Sequence, residues 1–591
     1  MTRAARVVPD VASFSVDDGF WYAIPEHLAP DLEIGSIVRV PLSGRRVRGW
    51  VVEFTDERPG KLKDIAGISG SAPVFDRPLL HGLGWAAQHY VAPVSTLMSR
   101  ATPPNLPRQT PGKPEVVTSV PSQSPLSDVV ERSAAGRTNP VTAVVANWHD
   151  LTFLRALAPV FAAGQAVLVI AASVAEVDTV ANEAHRIWGD VVATVDGEDD
   201  AGDTTAWEAA QVPPRLVIGT PKTASWHIGG LSLSIVLEES RRAMKDRQTP
   251  TLHVRDLMVK RSRLEGFNLV FYGPTPGVEL LASGADVIKP FNRAWPLVEV
   301  VDRSDDQPGS GFLAARTVAA ISAVAEAGKR VFVFTHRRFG FASTRCTNCR
   351  SLRTCTSCGA RLGRVESCPK CDARIGPCQK CGGLEFEEMG TVPDRLVTEL
   401  NRRLPGAPAA VHPSDSSVTV GTERDLAGLG EVSLSVAADV DGMLMGTGYR
   451  TTEEALRQLA RLASVLAPGK GSRLMIQTAR PDSLLVTTMR RGDPIPYLER
   501  VLVERAREGL PPSSEMIALE IRGDIPHDAA DSLAQLPSLG VVVLGPMTVE
   551  EGQRWLLTGQ LGKARLELRG LVGRWRDRGA TVRVDADPID F

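Results

Sequence analysis

The sequence predicts a multidomain α/β protein with two parallel α/β lobes, the second of which carries an inserted zinc module. Residues 138–300 and residues 301–500 each alternate short apolar strands with amphipathic helices, which is typical of a parallel sheet covered by helices. Every cysteine lies between residues 346 and 381, in four consecutive CxxC pairs. The chain length of 591 residues suits about three to five domains, so further domains are expected at both ends.

Residues 1–107 predict a small β-rich N-terminal domain that ends with a helix. The strand-like segments are residues 21–24, 36–40 and 47–54, and a helical apolar pattern covers residues 78–90. At the other end of the chain, residues 505–591 mix both patterns and predict an α+β C-terminal domain.

Residues 108–137 are rich in Pro, Ser and Gln. Such a composition buries too little apolar surface to pack alone. We therefore interpret this segment as a linker without a packed fold of its own.

Each lobe is defined by buried strands separated by helical patterns. The predicted strands of the first lobe are residues 141–145, 167–171, 216–219, 235–237 and 269–272, with helices over residues 152–163 and 174–187. The predicted strands of the second lobe are residues 331–335, 418–421, 434–438 and 474–478, with helices over residues 312–327 and 452–466. The zinc module, residues 342–390, interrupts the second lobe as an insertion.

The cysteine run predicts two structural zinc sites. A CxxC turn places two thiolates along one edge of a tetrahedron, so four turns provide two sets of four ligands. The predicted ligands are Cys346, Cys349, Cys355, Cys358, Cys368, Cys371, Cys378 and Cys381. Eight ligands fill two tetrahedra and leave no open position for water, which argues against a catalytic zinc. The alternative is four disulfides, which would require an oxidising compartment.

The rest of the chain favours a cytoplasmic, reducing location. No apolar run long enough for a signal peptide occurs in residues 1–14, and no run of 18 apolar residues predicts a membrane span. We therefore expect a cytoplasmic protein without a membrane partner. The net charge of −2 also excludes a field over the whole protein that attracts polyanions.

A local basic patch coincides with the cysteine run. Between Arg337 and Cys381 there are ten Lys or Arg residues and only two acids, Glu366 and Asp372. Even after eight thiolates and two zinc ions are included, the charge is about +4. This patch permits a contact with nucleic acid, although a solvated positive face would have the same composition.

Five motifs, taken in order, resemble one known family. They are residues 19–25 (GFWYAIP), 35–41 (GSIVRVP), 338–341 (RFGF), 505–512 (RAREGLPP) and 584–588 (VDADP). Together with the cysteine run they are similar to the family of primosomal protein N′ (PriA), the replication-restart helicases. The likeness covers nearly the whole chain, and the cysteine run is its most specific part.

The resemblance implies two RecA-like lobes with an inserted double zinc-ribbon module, and an N-terminal domain that binds the 3′ end of a DNA strand at a fork. The spacing alone leaves the pairing of the cysteines open, but the family pattern implies outer with outer and inner with inner. The implied sets are Cys346, Cys349, Cys378 and Cys381 for the first zinc, and Cys355, Cys358, Cys368 and Cys371 for the second.

The phosphate-binding loop of the family has no counterpart. Such a loop needs glycines, a lysine and a hydroxyl between a strand and a helix. Residues 146–150 read ANWHD and contain none of these, and no GxxxxGK[ST] motif occurs elsewhere. Trp148 would fill the space of the phosphates, and Asp150 would add a like charge beside them.

Two further nucleotide motifs are also altered. The family's DEEH motif reads LEES here, so Leu237 replaces the metal-organising Asp. The two arginine positions of its QxxGRxGR helix hold Leu462 and Val465. Because phosphoryl transfer depends on these charges, their joint loss predicts that ATP hydrolysis is absent, that ATP is no cofactor and that no catalytic residue remains.

The resulting hypothesis is a replication-restart primosome protein without helicase or ATPase activity. It would recognise stalled or branched DNA forks and single-stranded DNA, and would help other primosome proteins to reload the replicative helicase. The family's winged-helix domain is missing, because the 30-residue linker is too short for it. Two alternatives stay open: a divergent but active DNA-dependent ATPase and 3′–5′ helicase, or a DNA-independent protein scaffold.

Overall fold

The structure is a computed structural model that describes residues 4–57, 60–108, 111–116, 124–138, 141–290, 293–306, 310–336, 344–349, 351–357, 359, 362–363, 365–368, 373–388, 392–446, 448–467, 469, 471–549 and 552–589. The chain divides into two compact units, one of residues 1–291 together with 498–591 and the other of residues 292–497. In the described part of the chain, two parallel sheets and three antiparallel sheets are present.

The N-terminal elements form an antiparallel sheet followed by two helices. They are β1 (Ala4–Pro9), β2 (Phe20–Ala23), β3 (Ile37–Leu42), β4 (Arg45–Thr55), β5 (Gly67–Ser69), α1 (Arg77–His89) and α2 (Val94–Ala101). The strand order is β2-β1-β4-β3-β5. Ser43 and Gly44 join β3 to β4 with φ angles of 47° and 80°, as a tight hairpin turn requires. The three predicted strands correspond to β2, β3 and β4, and the predicted helix corresponds to α1.

The segment interpreted as a linker contains a packed helix. This helix, α3 (Ser127–Ala134), buries Val129 and Val130 in the core of the first parallel sheet. The prediction of a wholly unpacked linker is therefore wrong for these residues. Its composition is polar, but apolar side chains at adjacent helical positions suffice to anchor two turns against a preformed sheet.

A seven-stranded sheet forms the first lobe, and all of its strand pairs are parallel. Its elements are β6 (Thr142–Val145), α4 (Phe153–Ala156), α5 (Ala158–Ala162), β7 (Ala166–Ile170), α6 (Val174–Trp188), β8 (Val192–Val195), α7 (Asp200–Ala210), β9 (Leu216–Gly219), β10 (Leu231–Leu237), α8 (Val254–Glu265), β11 (Asn268–Gly273), α9 (Val278–Ala282) and β12 (Asp286–Ile288). The strand order is β12-β6-β11-β10-β7-β9-β8.

The helix predicted over residues 152–163 is in fact two short helices, α4 and α5. Pro159 lies in the first turn of α5, where its missing N–H is tolerated. Inside a continuous helix the same proline would remove a hydrogen bond and clash with the preceding turn, so the helix restarts at this point.

A six-stranded parallel sheet forms the second lobe. Its elements are β13 (Leu297–Asp302), α10 (Ala315–Glu326), β14 (Val331–Phe334), then, after the cysteine module, α11 (Pro393–Arg403), β17 (Ala409–Val411), β18 (Val418–Gly421), β19 (Leu434–Ala437), α12 (Val440–Met443), α13 (Thr451–Ser464), β20 (Arg473–Thr478) and α14 (Leu484–Arg491). The strand order is β13-β20-β19-β14-β18-β17. The predicted lobe boundary at residue 300 falls inside β13, whose partner is β20, so this sheet begins by Leu297.

The cysteine module is inserted between β14 and α11. Its only described strands are β15 (Thr344–Cys346) and β16 (Phe386–Glu388), which pair antiparallel and close the base of the module. The predicted insertion in the second sheet lobe is therefore present.

The C-terminal elements form a four-stranded antiparallel sheet with its helices. They are α15 (Ile495–Arg507), β21 (Glu515–Arg522), α16 (Ala529–Leu533), β22 (Val541–Val549), β23 (Gly552–Gly559), α17 (Gly562–Asp577) and β24 (Thr581–Ala586). The strand order is β22-β23-β21-β24. One apolar core runs through the N-terminal sheet, the first parallel sheet and this sheet, so these three parts of the first unit pack together.

The helices are short relative to a bilayer. The two longest with caps described, α17 and α6, have 16 and 15 residues. Among the described residues, no helix combines the length and the apolar character needed to span a membrane.

Candidate functional site

Four cysteines of the module lie together in space. The Sγ atoms of Cys346, Cys349, Cys378 and Cys381 are all within 4.8 Å of one another. The Sγ–Sγ distance is 3.5 Å both for Cys346 with Cys381 and for Cys349 with Cys378. These are the four residues that the family pattern assigns to one zinc ion.

This geometry suits a tetrahedral metal site. Zinc bonds thiolate sulfur at about 2.3 Å, so two ligands on one tetrahedron edge are separated by about 3.8 Å. A disulfide would require an S–S distance of about 2.05 Å. The observed separations match the metal site, and a set of four thiolates is the donor set that zinc prefers.

Ser351 supports the thiolate form of this set. Its hydroxyl lies 3.0 Å from the Sγ of Cys349 and 3.2 Å from the Sγ of Cys378. Hydrogen bonding from Ser351 lowers the pKa of Cys378 to about 6 and also lowers the pKa of Cys349. Because a metal binds the thiolate, these hydrogen bonds favour metal binding at Cys349 and Cys378. At Cys381 the Gly383 N–H lowers the pKa, but hydrogen bonds with the Cys349 and Cys346 thiols outweigh it and raise the pKa, so metal binding there must displace a proton.

Two cysteines of the inner set are buried beside Leu362. Cys355 and Cys368 are 5% and 1% exposed and form a small core with it. Cys358 and Cys371, the other two predicted ligands of the inner zinc, lie outside the described residues.

The inner and outer CxxC turns share one backbone geometry. The N–H of the first cysteine of a turn donates to the carbonyl five residues later. The pairs are Cys346 with Ser351 at 3.0 Å, Cys368 with Ala373 at 2.9 Å, and Cys378 with Gly383 at 2.8 Å. Three of the four CxxC turns, one of them in the inner set, therefore begin with the same backbone hydrogen bond.

The loop after β6, where a phosphate loop would lie, is folded around Trp148. This indole is 1% exposed and belongs to the core that also holds Phe153 and Tyr272. The imidazole of His149 stacks on it, with ring centroids 4.0 Å apart. Trp148 is therefore part of the apolar core beside the loop that follows β6.

The same loop uses its backbone N–H groups internally. The N–H of Ala146 donates to Gly273, that of His149 donates to the Asn147 side chain, and that of Leu151 donates to Trp148. Leu151 then ends the turn with a positive φ of 53°, which L-residues rarely adopt. These three donors are consequently not available to an anion.

The acid that follows β10 is neutralised inside the protein. Leu237 is buried, and the next residue, Glu238, accepts a hydrogen bond from Arg241 at 3.3 Å. Arg241 also donates to Glu176 at 2.5 Å, and both pairs are nearly inaccessible to solvent. Glu238 is therefore part of a structural ion pair.

The next residue, Glu239, is buried in a different environment. Its Oε1 accepts a hydrogen bond from the Gly277 N–H at 2.6 Å. Burial raises its pKa to about 7, against the opposing effects of that hydrogen bond and of Arg255. The carboxyl consequently changes its protonation state near neutral pH.

In the second unit, helix α13 is held by an ion pair with Glu423. Arg457 donates to both carboxylate oxygens of Glu423, at 2.5 and 2.8 Å, and Arg461 donates to its Oε1 at 3.2 Å. Leu462 and Val465 are buried in the same helix region. The arginines of this helix bind an internal carboxylate.

The β3–β4 hairpin carries a run of cations. Arg39, Arg45 and Arg46 are exposed, and Arg48 is partly exposed and is the cross-strand partner of Arg39. These side chains could reach a phosphate backbone.

The aromatic residues of β2 have three different environments. Phe20 is 40% exposed, Trp21 is partly exposed beneath the guanidinium of Arg6, and Tyr22 is buried. The structure places only Tyr22 in the core.

Sequence reasoning missed one polar cluster, formed by His89, Asp256 and Asp587. Their ligand atoms lie within 4.8 Å of one another, close enough for a cation. However, Asp587 is already bonded to His89, and Asp256 accepts from the Tyr90 hydroxyl at 2.9 Å. Arg255 also pairs with Asp256, so the cluster is an ion-pair network. No local pattern indicates it, because its members come from three separate parts of the chain.

Two comparisons with known protein sequences find PriA proteins. The profile of the PriA 3′DNA-binding domain (3′BD) matches residues 6–103. The probable replication restart protein PriA of Mycobacterium tuberculosis (strain H37Rv) is 26% identical over 605 residues, which covers 91% of this chain and 90% of that protein. The chain is thus similar over nearly its whole length to replication restart proteins named PriA. The replication restart protein PriA of Treponema pallidum is 23% identical over 602 residues and covers 90% of each chain.

The matched profile coincides with the first structural part of this chain. It spans most of β1, the rest of the five-stranded sheet and both following helices. Among solved structures, S. cerevisiae Dbp5 bound to RNA and ADP BeF3 has a TM-score of 0.34 and 9% identity, covering 62% of this chain and 88% of that one. That likeness is too low to carry an argument.

Proposed function

We propose that this protein recognises stalled or branched DNA forks and helps to reload the replicative helicase without hydrolysing ATP. Its two parallel sheets would be RecA-like lobes that act as a scaffold, and residues 1–107 would bind the 3′ end of a DNA strand. The observation that carries the non-enzymatic part is the burial of Trp148 where a phosphate loop would bind nucleotide.

Two independent features support the absence of ATP turnover. A magnesium-bound triphosphate needs free donors and a carboxylate that organises the metal. Leu237 is apolar at that carboxylate position, and the neighbouring Glu238 is paired with Arg241. Breaking such a buried pair to admit nucleotide would leave a charge without its partner, which is strongly unfavourable.

The ion pair of α13 supports the same proposal from the second unit. Arginines that stabilise a γ-phosphate must remain available to an external anion. Here Glu423 supplies a carboxylate to both Arg457 and Arg461. The carboxylate of Glu423 thus supplies the negative charge that a nucleotide phosphate would otherwise place beside these arginines.

The β3–β4 hairpin supports DNA binding. Three exposed arginines lie on this two-stranded hairpin, and β2 of the same sheet carries the exposed ring of Phe20. Cations that contact phosphates together with an aromatic ring that stacks on a base suit the end of a single strand. The zinc module, residues 342–390, would use two structural zinc ions to fold a basic surface for DNA or for other primosome proteins.

The test uses fluorescence anisotropy with the full-length protein on a synthetic fork and on a plain duplex, at two salt concentrations. We expect tighter binding to the fork, with an affinity that falls as salt rises. The variant Arg45→Glu/Arg46→Glu should weaken fork binding at least about tenfold, which corresponds to the loss of two or more phosphate contacts. Arg186→Glu, an exposed arginine on α6, serves as the matched control and should bind like the wild type.

The same samples are assayed for ATP hydrolysis with and without the fork. We expect no hydrolysis above a blank. Fork-stimulated hydrolysis that disappears in Glu238→Gln would instead establish a divergent ATPase. Equal, weak binding to fork and duplex would favour a DNA-independent scaffold.

A further inference from the structure

The C-terminal sheet has one covered face and one open face. Antiparallel pairing places cross-strand partners on the same face. Leu519, Trp555 and Val584 are such partners and are buried on the face that contacts the helices. The residues between them therefore point to the opposite, open face.

The open face exposes apolar side chains along its edge strand. Val542, Leu544 and Met547 of β22 are 54%, 51% and 50% exposed. On the neighbouring strand β23, Leu544 faces Leu556, which is buried, and Met547 faces Arg554. Contact between water and three large apolar side chains in a row is unfavourable, and soluble monomeric proteins rarely expose extended apolar patches.

A charged cavity of about 430 Å³ adjoins this apolar row. It lies where the loop after β10 meets the open face of the C-terminal sheet. Its ionisable lining residues are five cations, Arg242, Lys245, Arg247, Arg554 and Arg583, and three acids, Asp246, Glu520 and Asp585. The cavity therefore has an excess of two positive charges.

The acids in the cavity are engaged by particular cations. Arg554 donates to Glu520 at 2.6 Å, and Lys245 donates to Asp585 at 2.6 Å. Arg583 approaches Asp585 only at 3.4 Å, and its buried Nε has no hydrogen-bond partner among the described residues. Arg247 is exposed at the rim. Arg583 and Arg247 are thus the cations best placed to bind the carboxylate of a partner.

The apolar row and the cavity are neighbours on one face. Glu520 is the cross-strand partner of Arg554 on one side and of Arg583 on the other, and Arg554 is in turn the partner of Met547. Adjacent strands are separated by about 4.8 Å. A single bound segment can therefore cover the apolar row and reach the cations.

We propose that this open face docks an acidic and apolar protein segment, with its apolar side chains on Val542, Leu544 and Met547 and a carboxylate at Arg583 and Arg247. Charge complementarity favours an acidic segment. Nucleic acid fits this face less well, because none of its described residues is aromatic and base stacking needs such rings.

The test starts from a random dodecapeptide library displayed on phage and selected against the full-length protein. The selected peptides are then synthesised with a fluorophore and measured by anisotropy. We expect peptides that combine Asp or Glu with Leu, Ile or Phe. We expect Leu544→Asp, Arg583→Glu and Arg247→Glu each to weaken their binding at least about tenfold.

Matched controls lie on the opposite side of the sheet. Leu566→Asp changes a 56%-exposed leucine of α17, and Arg578→Glu changes an exposed arginine that pairs with Asp528. Both should bind the peptides like the wild type. Circular dichroism and thermal melting establish that every variant is folded.

Three results would overturn the proposal. The first is a set of selected peptides that is basic, or that binds equally well to the Leu544→Asp and Arg583→Glu variants. The second is a single-stranded oligonucleotide whose binding depends on Leu544 and Arg583 while the acidic peptides do not bind. The third is a change of molar mass in Leu544→Asp from dimer to monomer, which would make the face a contact between two copies of this chain.

Discussion

The Nε2 atom of His89 lies 2.9 Å from the Oδ2 atom of Asp587, which joins the end of α1 to the residue just after β24 across 498 positions of sequence. The backbone carbonyl of the same histidine accepts a hydrogen bond from the Nε atom of Arg565 in α17, at 2.9 Å. Contacts of this kind fasten the N-terminal part of the first unit to its C-terminal part. Their charges therefore affect the stability of that unit.

We predict that Asp587→Asn lowers the free energy of unfolding at pH 7 by about 1–2 kcal/mol, the size expected for a hydrogen bond to a charged group. Burial alone would raise the pKa of Asp587, but the hydrogen bond and charge of His89 outweigh it and hold the pKa below its ordinary value. The unfolded chain consequently binds the proton first as the pH falls below about 4. The contribution is present above that pH and is lost below it.

Urea unfolding at pH 7 and pH 3 checks this prediction. The difference between the wild type and Asp587→Asn should shrink at pH 3, because the unfolded wild-type chain is then largely protonated at Asp587 and the folded protein gains less from the lowered pKa. A loss of equal size at both pH values would mean that Asp587 acts through packing instead of charge.

The effect of Glu239 on the free energy of unfolding should have the opposite dependence on pH. Its pKa is raised to about 7, mainly by burial, from an ordinary value of 4.5. Between these two values the folded protein keeps a proton that the unfolded chain has released, so the stability of the wild type falls as the pH rises. Glu239→Gln stays neutral and keeps an oxygen for the Gly277 N–H.

We expect Glu239→Gln to be more stable than the wild type by about 3 kcal/mol at pH 8, from about 1.4 kcal/mol per unit of pKa, and by only about 1 kcal/mol at pH 5. Chemical denaturation at both pH values measures the difference. An equal gain at pH 5 and pH 8 would contradict the assignment of Glu239 as a buried group that titrates.

The pattern of strands and helices predicted the two parallel sheets because buried parallel strands are continuous apolar runs. Strands β8, β12, β13 and β17 were missed; each has only three to six residues and lies at or next to the edge of its sheet. Spacing predicted which residues could hold zinc, since a CxxC pair is a local arrangement. By contrast, Glu423 with Arg457 and His89 with Asp587 are long-range pairs, and no local period in sequence connects them.

The nucleotide motifs also include some features that the local sequence shows and others that only the structure shows. Missing glycines and a missing lysine can be read from residues 146–150. The stacking of His149 on Trp148, and the pairing of Arg241 with Glu176, depend on tertiary packing and appear only in the structure.

Removal of one outer ligand should remove one metal ion. We predict that the wild type holds two zinc ions per chain and that Cys346→Ser holds one, because three remaining ligands bind zinc more weakly than four. Plasma emission spectroscopy of chelator-washed protein measures the content. Cys355→Ser is the matched variant for the inner set and should also leave one ion.

The two variants together test the pairing of ligands. If the outer and inner sets are separate, the double variant Cys346→Ser/Cys355→Ser should hold none. Retention of two ions in either single variant would contradict the assignment of all eight cysteines as ligands.

Trp148 provides the sharpest test of the filled phosphate loop. Trp148→Ala should lower the free energy of unfolding by about 3–5 kcal/mol, as for other large aromatic side chains removed from a core. Since the loop also lacks the lysine and the hydroxyl that bind phosphate and magnesium, the cavity created should not produce ATP hydrolysis. Trp21→Ala, a partly exposed tryptophan on β2, is the control and should cost much less. Thermal melting with and without ATP and magnesium completes the test. If ATP raises the melting temperature of the wild type, nucleotide binds despite the buried indole. That result would contradict the role assigned to Trp148.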